Sequence, residues 1–244
     1  MRQRRRLVDE IADELRELIS REFAPGQRLP AEKDLAVTLD VSRNTLREAL
    51  LRLWNEGILE RRWGVGTFVR ERGRPVVQNF TDFVTMKDAI ERGGKTAAIE
   101  HVSIRTVPCP EEIADALEVS ADTEVWRAER TFTADEMPVA TFIEWMRTEA
   151  NGAPVDLKPL ADISVPLLTL LRDTTGTEIT RMEAQLVAVS AADPLTRMLD
   201  VAVGAPLLKT QQVSLDEDGE TVLYSELYYR PDGMSLHVVR TPRF

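Results

Sequence analysis

Ser42, Arg43, Asn44, Thr45 and Arg47 crowd the start of one predicted helix, and their types suit nucleic-acid recognition. Arginine matches the guanine edge with two donors, asparagine pairs with adenine, and hydroxyls bind phosphate oxygens. Ser42 is a good N-cap, and Leu46, Ala49, Leu50 and Leu53 then recur at helical spacing. That spacing predicts one buried side and an exposed N-terminal tip carrying Arg43, Asn44, Thr45 and Arg47.

Such a tip needs a supporting turn and a second helix. Leu35, Ala36 and Leu39 fall on one side of a short helix opened by Pro30, with Glu32 and Asp34 in its first turn, where the helix dipole favours acids. Asp40-Val41 is the break, and Gly57 ends the second helix. Ile58 to Trp63 and Thr67 to Val69 read as strands joined by Gly64-Val65-Gly66, whose glycines supply the positive φ of a tight hairpin. Helix-turn-helix plus hairpin is a winged helix, a reader of double-stranded DNA. Before it, Arg2, Arg4, Arg5 and Arg6 precede a helix with an apolar stripe of Leu7, Ile11, Leu15 and Leu18. That arm either reaches the DNA backbone or is a loose charged terminus.

Residues 7 to 70 resemble the DNA-binding domain of the GntR superfamily of bacterial transcription regulators, through "LPAEKDLA", "VSRNTLREAL", "L.RLWNEGIL" and "GVGTFV". The resemblance implies that Lys33, Arg43, Thr45 and Arg47 touch bases or phosphates with Asn44 beside them. It places Trp63 and Gly64 at the wing tip, in or near the minor groove. Lys33 stands where the family usually has arginine; it keeps the charge and loses the fork, so phosphate contact is expected of it.

The composition fits two domains with packed cores: 244 residues, 43% of them hydrophobic. A formal charge of −10 suits DNA poorly until it is divided. Residues 1 to 72 hold 15 Lys and Arg against 13 Asp and Glu, and the remainder holds 16 against 28. An acidic remainder would point away from DNA. The single cysteine, Cys109, permits no intrachain disulfide and fits a reducing compartment. No apolar run is long enough for a membrane span, and the N-terminus lacks the apolar core of a signal peptide, so a cytoplasmic location is expected.

The expected domains are a winged helix over 1–72, a linker over 73–79 rich in charge, Gly and Pro, and an α+β domain over 80–244. The last begins with a helix from Phe80 to Gly93 and a strand around Ala98 to Val107. An internal repeat follows: PEEIADALEV, EVWRAERTFT, ADEM and PVATFIEWM give helix, strand, turn and strand, and DPLTRMLDV, PLLKTQQVSL, DEDG and ETVLYSELYY repeat that order at an offset of 82. Between the copies lie a loop, a helix from about Val165 to Arg172, and a strand from about Ile179 to Ser190. The sum is an antiparallel sheet with helices on one side.

The C-terminal region also resembles a known family, the UTRA ligand-sensing domain of the HutC subfamily within GntR, through "FTDF…ERGG", "ERTFTADEMP" and "YYRPD". That resemblance implies a chorismate-lyase-like fold and a small-molecule effector. With a turn at Ala134 to Met137, opposed residues of the first hairpin sum to 271, which puts Trp126, Ala128, Arg130 and Phe132 opposite Trp145, Ile143, Thr141 and Val139. Arg130 is then the single charge on an apolar face, and it needs an anion, from a ligand or from a structural acid. In the family the matching arginine binds effector. The opposite face pairs Arg127 with Glu144, and the second copy Lys209 with Glu226, as surface salt bridges, so neither glutamate is a candidate.

The second hairpin's inner face carries Thr210, Gln212, Leu223, Ser225, Leu227 and Tyr229. By resemblance Tyr229 contacts ligand, though a core tyrosine with a bonded hydroxyl also fits. Phe80 and Thr81 begin the helix that in the family offers amides to an anion, and Ser164 matches a ligand-binding serine or serves as an N-cap. Relatives that sense phosphorylated sugars often carry a second arginine and a glutamate where Phe132 and Phe142 stand, so a less charged, flatter or more apolar effector is expected.

Gly94-Lys95-Thr96 lacks the first glycine of a phosphate loop, and His101, His237 and Cys109 are too scattered for zinc. No catalytic constellation has motif support. The sequence therefore predicts a regulator without a cofactor, a homodimer on an inverted-repeat operator. Its rivals are an enzyme with an appended DNA-binding domain and a DNA binder without effector.

Overall fold

The computed structural model describes residues 2–55, 57–62, 64–70, 76–79 and 84–237. They fall in two compact units, Met1–Lys95 with Ser235–Phe244, and Thr96–Met234.

In the first unit, α1 (Arg2–Glu22), α2 (Glu32–Thr38) and α3 (Arg43–Asn55) surround one apolar cluster. α1 begins at Arg2, so the arginines expected to precede the helix belong to it. Its buried row is Ile11, Leu15 and Ile19 with Ala12, whereas Leu7 is 43% exposed and Leu18 only partly buried, a rotation from the expected stripe. From α2 and α3, Leu35, Leu46, Leu50 and Leu53 close the cluster. Burying each such leucine contributes about 1.5–3 kcal/mol.

The turn before α3 is made by Asp40 at φ +50°, and Gly57 leaves the helix at φ +73°. β1 (Leu59–Arg62) and β2 (Gly66–Val69) form the wing, with Arg62 opposite Gly66. Gly66 sits at φ +144°, and a Cβ there would fall 2.7 Å from Arg28 Nε. β3 (Val76–Asn79) and α4 (Met86–Arg92) complete the run to residue 95. Thr85 caps α4 by accepting from the Asp88 amide at 3.1 Å. The helix expected from Phe80 therefore starts later; Phe80 and Thr81 lie outside the described residues.

The second unit contains β4 (Ala97–Pro108), α5 (Glu111–Leu117), β5 (Glu124–Ala134) and β6 (Met137–Arg147). A small hairpin, β7 (Glu149–Ala150) and β8 (Ala153–Pro154), and a 3-10 turn at Lys158–Ala161 lead to α6 (Leu167–Thr175). β9 (Arg181–Ser190), α7 (Leu195–Met198), β10 (Pro206–Leu215) and β11 (Thr221–Tyr229) follow. The sheet order is β4-β5-β6-β11-β10-β9, antiparallel throughout. β12 (Met234–His237), which from Ser235 onward belongs to the first unit, pairs with β3 of that unit.

The internal repeat is physical. The copies meet at β6 and β11, and Ile113, Leu117 and Val125 share one core with Leu195, Leu199 and Leu207, their equivalents at an offset of 82. Each copy also ties its second strand to its helix. Arg147 donates to the Leu117 carbonyl at 2.7 Å, and Arg230 donates to the Leu199 carbonyl at 2.8 Å. These bonds satisfy carbonyls that a helix end leaves without partners.

Two expectations about the sheet are corrected. Helices cover both faces rather than one: α5 lies with Val125, Ile143 and Trp145, and α6 with the alternate residues Trp126, Ala128 and Met146. The register of the first hairpin also differs. The turn is where it was expected, with Asp135 and Glu136 at positive φ as a two-residue hairpin requires. A bulge between Phe132 and Thr133 then shifts β6 by one residue, so that Arg130 lies opposite Phe142 and Ala128 opposite Glu144. A one-residue slip exchanges the two faces of the shifted strand. Phe142 and Glu144 therefore join Arg130, and Trp145 joins Arg127.

Candidate nucleic-acid interface and effector site

Ser42 caps α3: its Oγ accepts from the Thr45 amide at 3.1 Å and lies 2.8 Å from the Thr45 hydroxyl. This bond turns Thr45 inward, to 9% exposure, which corrects its expected place on the open tip. Ser42, Arg43, Asn44 and Arg47 are exposed together at the start of α3, and Lys33 is exposed on α2. Arg47 Nε donates to Glu32 Oε2 at 2.6 Å, which links the two helices. A groove of about 440 Å³ between α3 and the wing is lined by Glu32, Arg47, Leu50, Trp54, Arg61 and Thr67, among others. Gly64 holds φ +72° at the wing, with nothing within 4 Å of a Cβ placed there; Trp63 lies outside the described residues. The arrangement offers exposed donors on a helix tip beside a hairpin, the geometry that enters a DNA groove.

The face of the sheet that carries Arg130 also carries Phe132, Ser225 and Tyr229. Ser225 lies opposite Glu144, Leu227 opposite Phe142, and Tyr229 opposite Ala140. Arg130 Nη2 donates to Glu144 Oε2 at 2.6 Å, and both side chains are 7% exposed. The anion that Arg130 required is thus a structural acid, and Glu144 is no surface residue. Arg127, its expected partner, instead meets Glu129 at 2.5 Å and lies over the Trp145 ring at 5.7 Å. Lys209 and Glu226 do pair, at 2.6 Å, but diagonally and half-buried, with the Tyr228 hydroxyl donating to the same carboxylate at 2.7 Å.

Aromatic rings frame the pair. The Arg130 guanidinium lies 5.3 Å from the Phe132 ring centre, Phe132 and Phe142 are 4.8 Å apart, and Phe142 meets Tyr229 edge-on at 5.9 Å. Burial, and secondarily the charge of Glu144, hold the Tyr229 phenol far above its ordinary pKa, so it stays protonated. Ser164 lies in an exposed turn, where its hydroxyl donates to Asp162 at 2.7 Å, and α6 starts after Pro166. These bonds hold the Asp162 carboxyl below its ordinary pKa.

Phe142 and Glu144 were missed as candidates, although the sequence held a signal for them. The family pattern put Phe142 at a pocket position, and strand alternation carries Glu144 to the same face. Counting from the hairpin turn contradicted this, and the bulge is the reason.

A winged helix followed by an antiparallel sheet with a buried polar face defines a DNA-binding regulator with a sensory domain. Comparison with known proteins agrees. Residues 7–69 match the model of the bacterial regulatory proteins of the gntR family, and residues 92–235 match the UTRA domain. A relative from Escherichia coli O157:H7, named "Probable fructoselysine utilization operon transcriptional repressor", is 26% identical over 96% of this chain and 91% of its own. The mannosyl-D-glycerate transport/metabolism system repressor MngR of Escherichia coli K12 is 25% identical over 93% of this chain and 92% of its own. PhnF from Mycobacterium smegmatis has the same fold, with a TM-score of 0.59 and 23% identity over 95% of this chain and 99% of that one. The chain belongs to the GntR family of bacterial regulatory proteins, in the group that carries a UTRA domain. No helix among the described residues is long and apolar enough to cross a membrane.

Proposed function

We propose that the protein is a cytoplasmic transcriptional repressor that acts as a homodimer on an inverted-repeat operator and releases it on binding a small molecule. The observation that carries this reading is the cluster of Ser42, Arg43, Asn44 and Arg47, exposed together at the start of α3. One such tip covers only a few base pairs, and two-fold symmetry doubles the contacts. In this reading residues 1–72 bind DNA, 73–79 link, and 80–244 bind effector and dimerise. Lys33 contacts phosphate, and Trp63 and Gly64 approach the minor groove. Effector contacts come from the face of Arg130, Phe132, Ser225 and Tyr229; for Phe80, Thr81 and Ser164 a contact rests on the resemblance alone.

The effector must prefer one arrangement of the two units, because equal affinity for both would shift nothing. The names of the two Escherichia coli relatives, each of which includes the word repressor, support the sign of regulation. Fluorescence anisotropy on a duplex from the chain's own upstream region tests the reading. Saturable, sequence-selective binding that a metabolite reverses is the expected result. Binding that is indifferent to both sequence and metabolite would refute it.

A further inference from the structure

We propose that the effector is an uncharged, hydroxyl-bearing molecule with a flat or apolar ring face, and that the Arg130–Glu144 pair excludes anionic ligands from the site. The proposal rests on reading the Arg130 face as the effector site. Three observations on that face carry it.

First, the site's buried cation is already neutralised. Arg130 and Glu144 meet at 2.6 Å with both side chains nearly fully buried. A phosphate or carboxylate that took the guanidinium would leave the Glu144 carboxylate buried beside a second anion, a costly arrangement.

Second, the open part of the face is aromatic. On the middle of this face, between Trp126 and Phe132 of β5, Ala140 and Met146 of β6, and Leu223 and Tyr229 of β11, Phe142 alone keeps partial exposure, and Phe132 and Tyr229 flank it. A floor of this kind packs against a ring or the apolar face of a sugar.

Third, buried polar atoms on the same face have no partner: Arg130 Nε, and on β10 Thr210 Oγ1, opposite Leu227, and Ser214 Oγ, opposite Leu223. Such atoms are costly to leave unpaired, and a hydroxyl can satisfy each. Arg130 and Thr210 lie three strands apart, about 14 Å at the usual strand spacing. An occupant that reaches both is as long as two rings.

The test uses the full-length protein and matched probes: phenyl β-glucoside, its 6-phosphate, and inorganic phosphate, followed by calorimetry and thermal shift. The wild-type chain is expected to bind neither phosphate probe at millimolar concentration and to favour the neutral glucoside over its 6-phosphate. Glu144→Gln leaves the guanidinium unpaired and is expected to gain about tenfold or more in affinity for inorganic phosphate, a gain lost in Arg130→Met/Glu144→Gln. Micromolar binding of either phosphate probe by the wild-type chain would overturn the proposal, whether or not the variants fold. Equal phosphate affinity of wild-type and a folded Glu144→Gln would do the same. Operator binding separates the two readings. A sugar phosphate that binds and releases operator refutes the neutral-ligand proposal and leaves the regulator reading intact. The predicted charge preference with an operator affinity that no probe or metabolite alters supports the site chemistry and refutes effector control.

Discussion

Arg47 Nε sits 2.6 Å from Glu32 Oε2, joining the outer side of α3 to the first turn of α2. The arginine side chain is 64% exposed, so the pair adds little stability and is free to rearrange on DNA. Arg47→Ala is expected to weaken operator binding by about 1–3 kcal/mol, with the melting temperature nearly unchanged. Glu32→Gln releases the guanidinium and removes a negative charge near the phosphates, so operator affinity should rise. Anisotropy titrations at two salt concentrations check both signs.

Ser42 serves fold and interface together. Ser42→Ala removes the cap of α3 and the partner of the buried Thr45 hydroxyl, at a cost of about 1 kcal/mol or more. Ser42→Asp keeps an acceptor at the cap and should recover most of that stability while weakening DNA binding through its charge. Urea denaturation and operator titration of the same two variants separate the roles.

Arg130 cannot be removed alone without consequence. Arg130→Ala strands the Glu144 carboxylate in the interior and is expected to destabilise the domain by about 3–5 kcal/mol. Arg130→Met/Glu144→Gln removes both charges and should unfold near the wild-type temperature. That double variant is expected to bind operator and to respond weakly, or not at all, to effector, as calorimetry and release assays will read.

The second anchor of the repeat titrates. Arg230 donates to the Leu199 carbonyl and bonds both oxygens of Asp232, at 3.0 and 2.7 Å. That bonding, from Arg230 first, holds the Asp232 carboxyl below its ordinary 3.8. A carboxylate lowered on folding adds stability that is complete above the ordinary pKa and is lost as pH falls through the lowered one. Asp232→Asn should therefore flatten the loss of stability below about pH 4, and melting curves across that range will show it.

The winged helix was legible because its signals are local. The Ser42 cap, the Gly57 stop and the wing glycines each act within a few residues. The repeat was legible too, since Leu117 and Leu199 must each fill one core. What escaped was non-local. The bulge at Phe132 and Thr133 leaves little trace where β5 and β6 have burial on both faces, because alternation is lost. One residue of slip moved Glu144 from an expected surface pair to a buried one. Thr45 escaped for a smaller reason: its hydroxyl bonds its own N-cap rather than facing outward.

Selection of bound sequences from a random duplex library, with the full-length chain at physiological salt, tests the central claim most directly. The account predicts enrichment of an inverted repeat with half-sites about one helical turn apart, and a changed or lost half-site preference for Arg43→Ala. A pool without enrichment, or the same motif selected by wild type and Arg43→Ala alike, would contradict it.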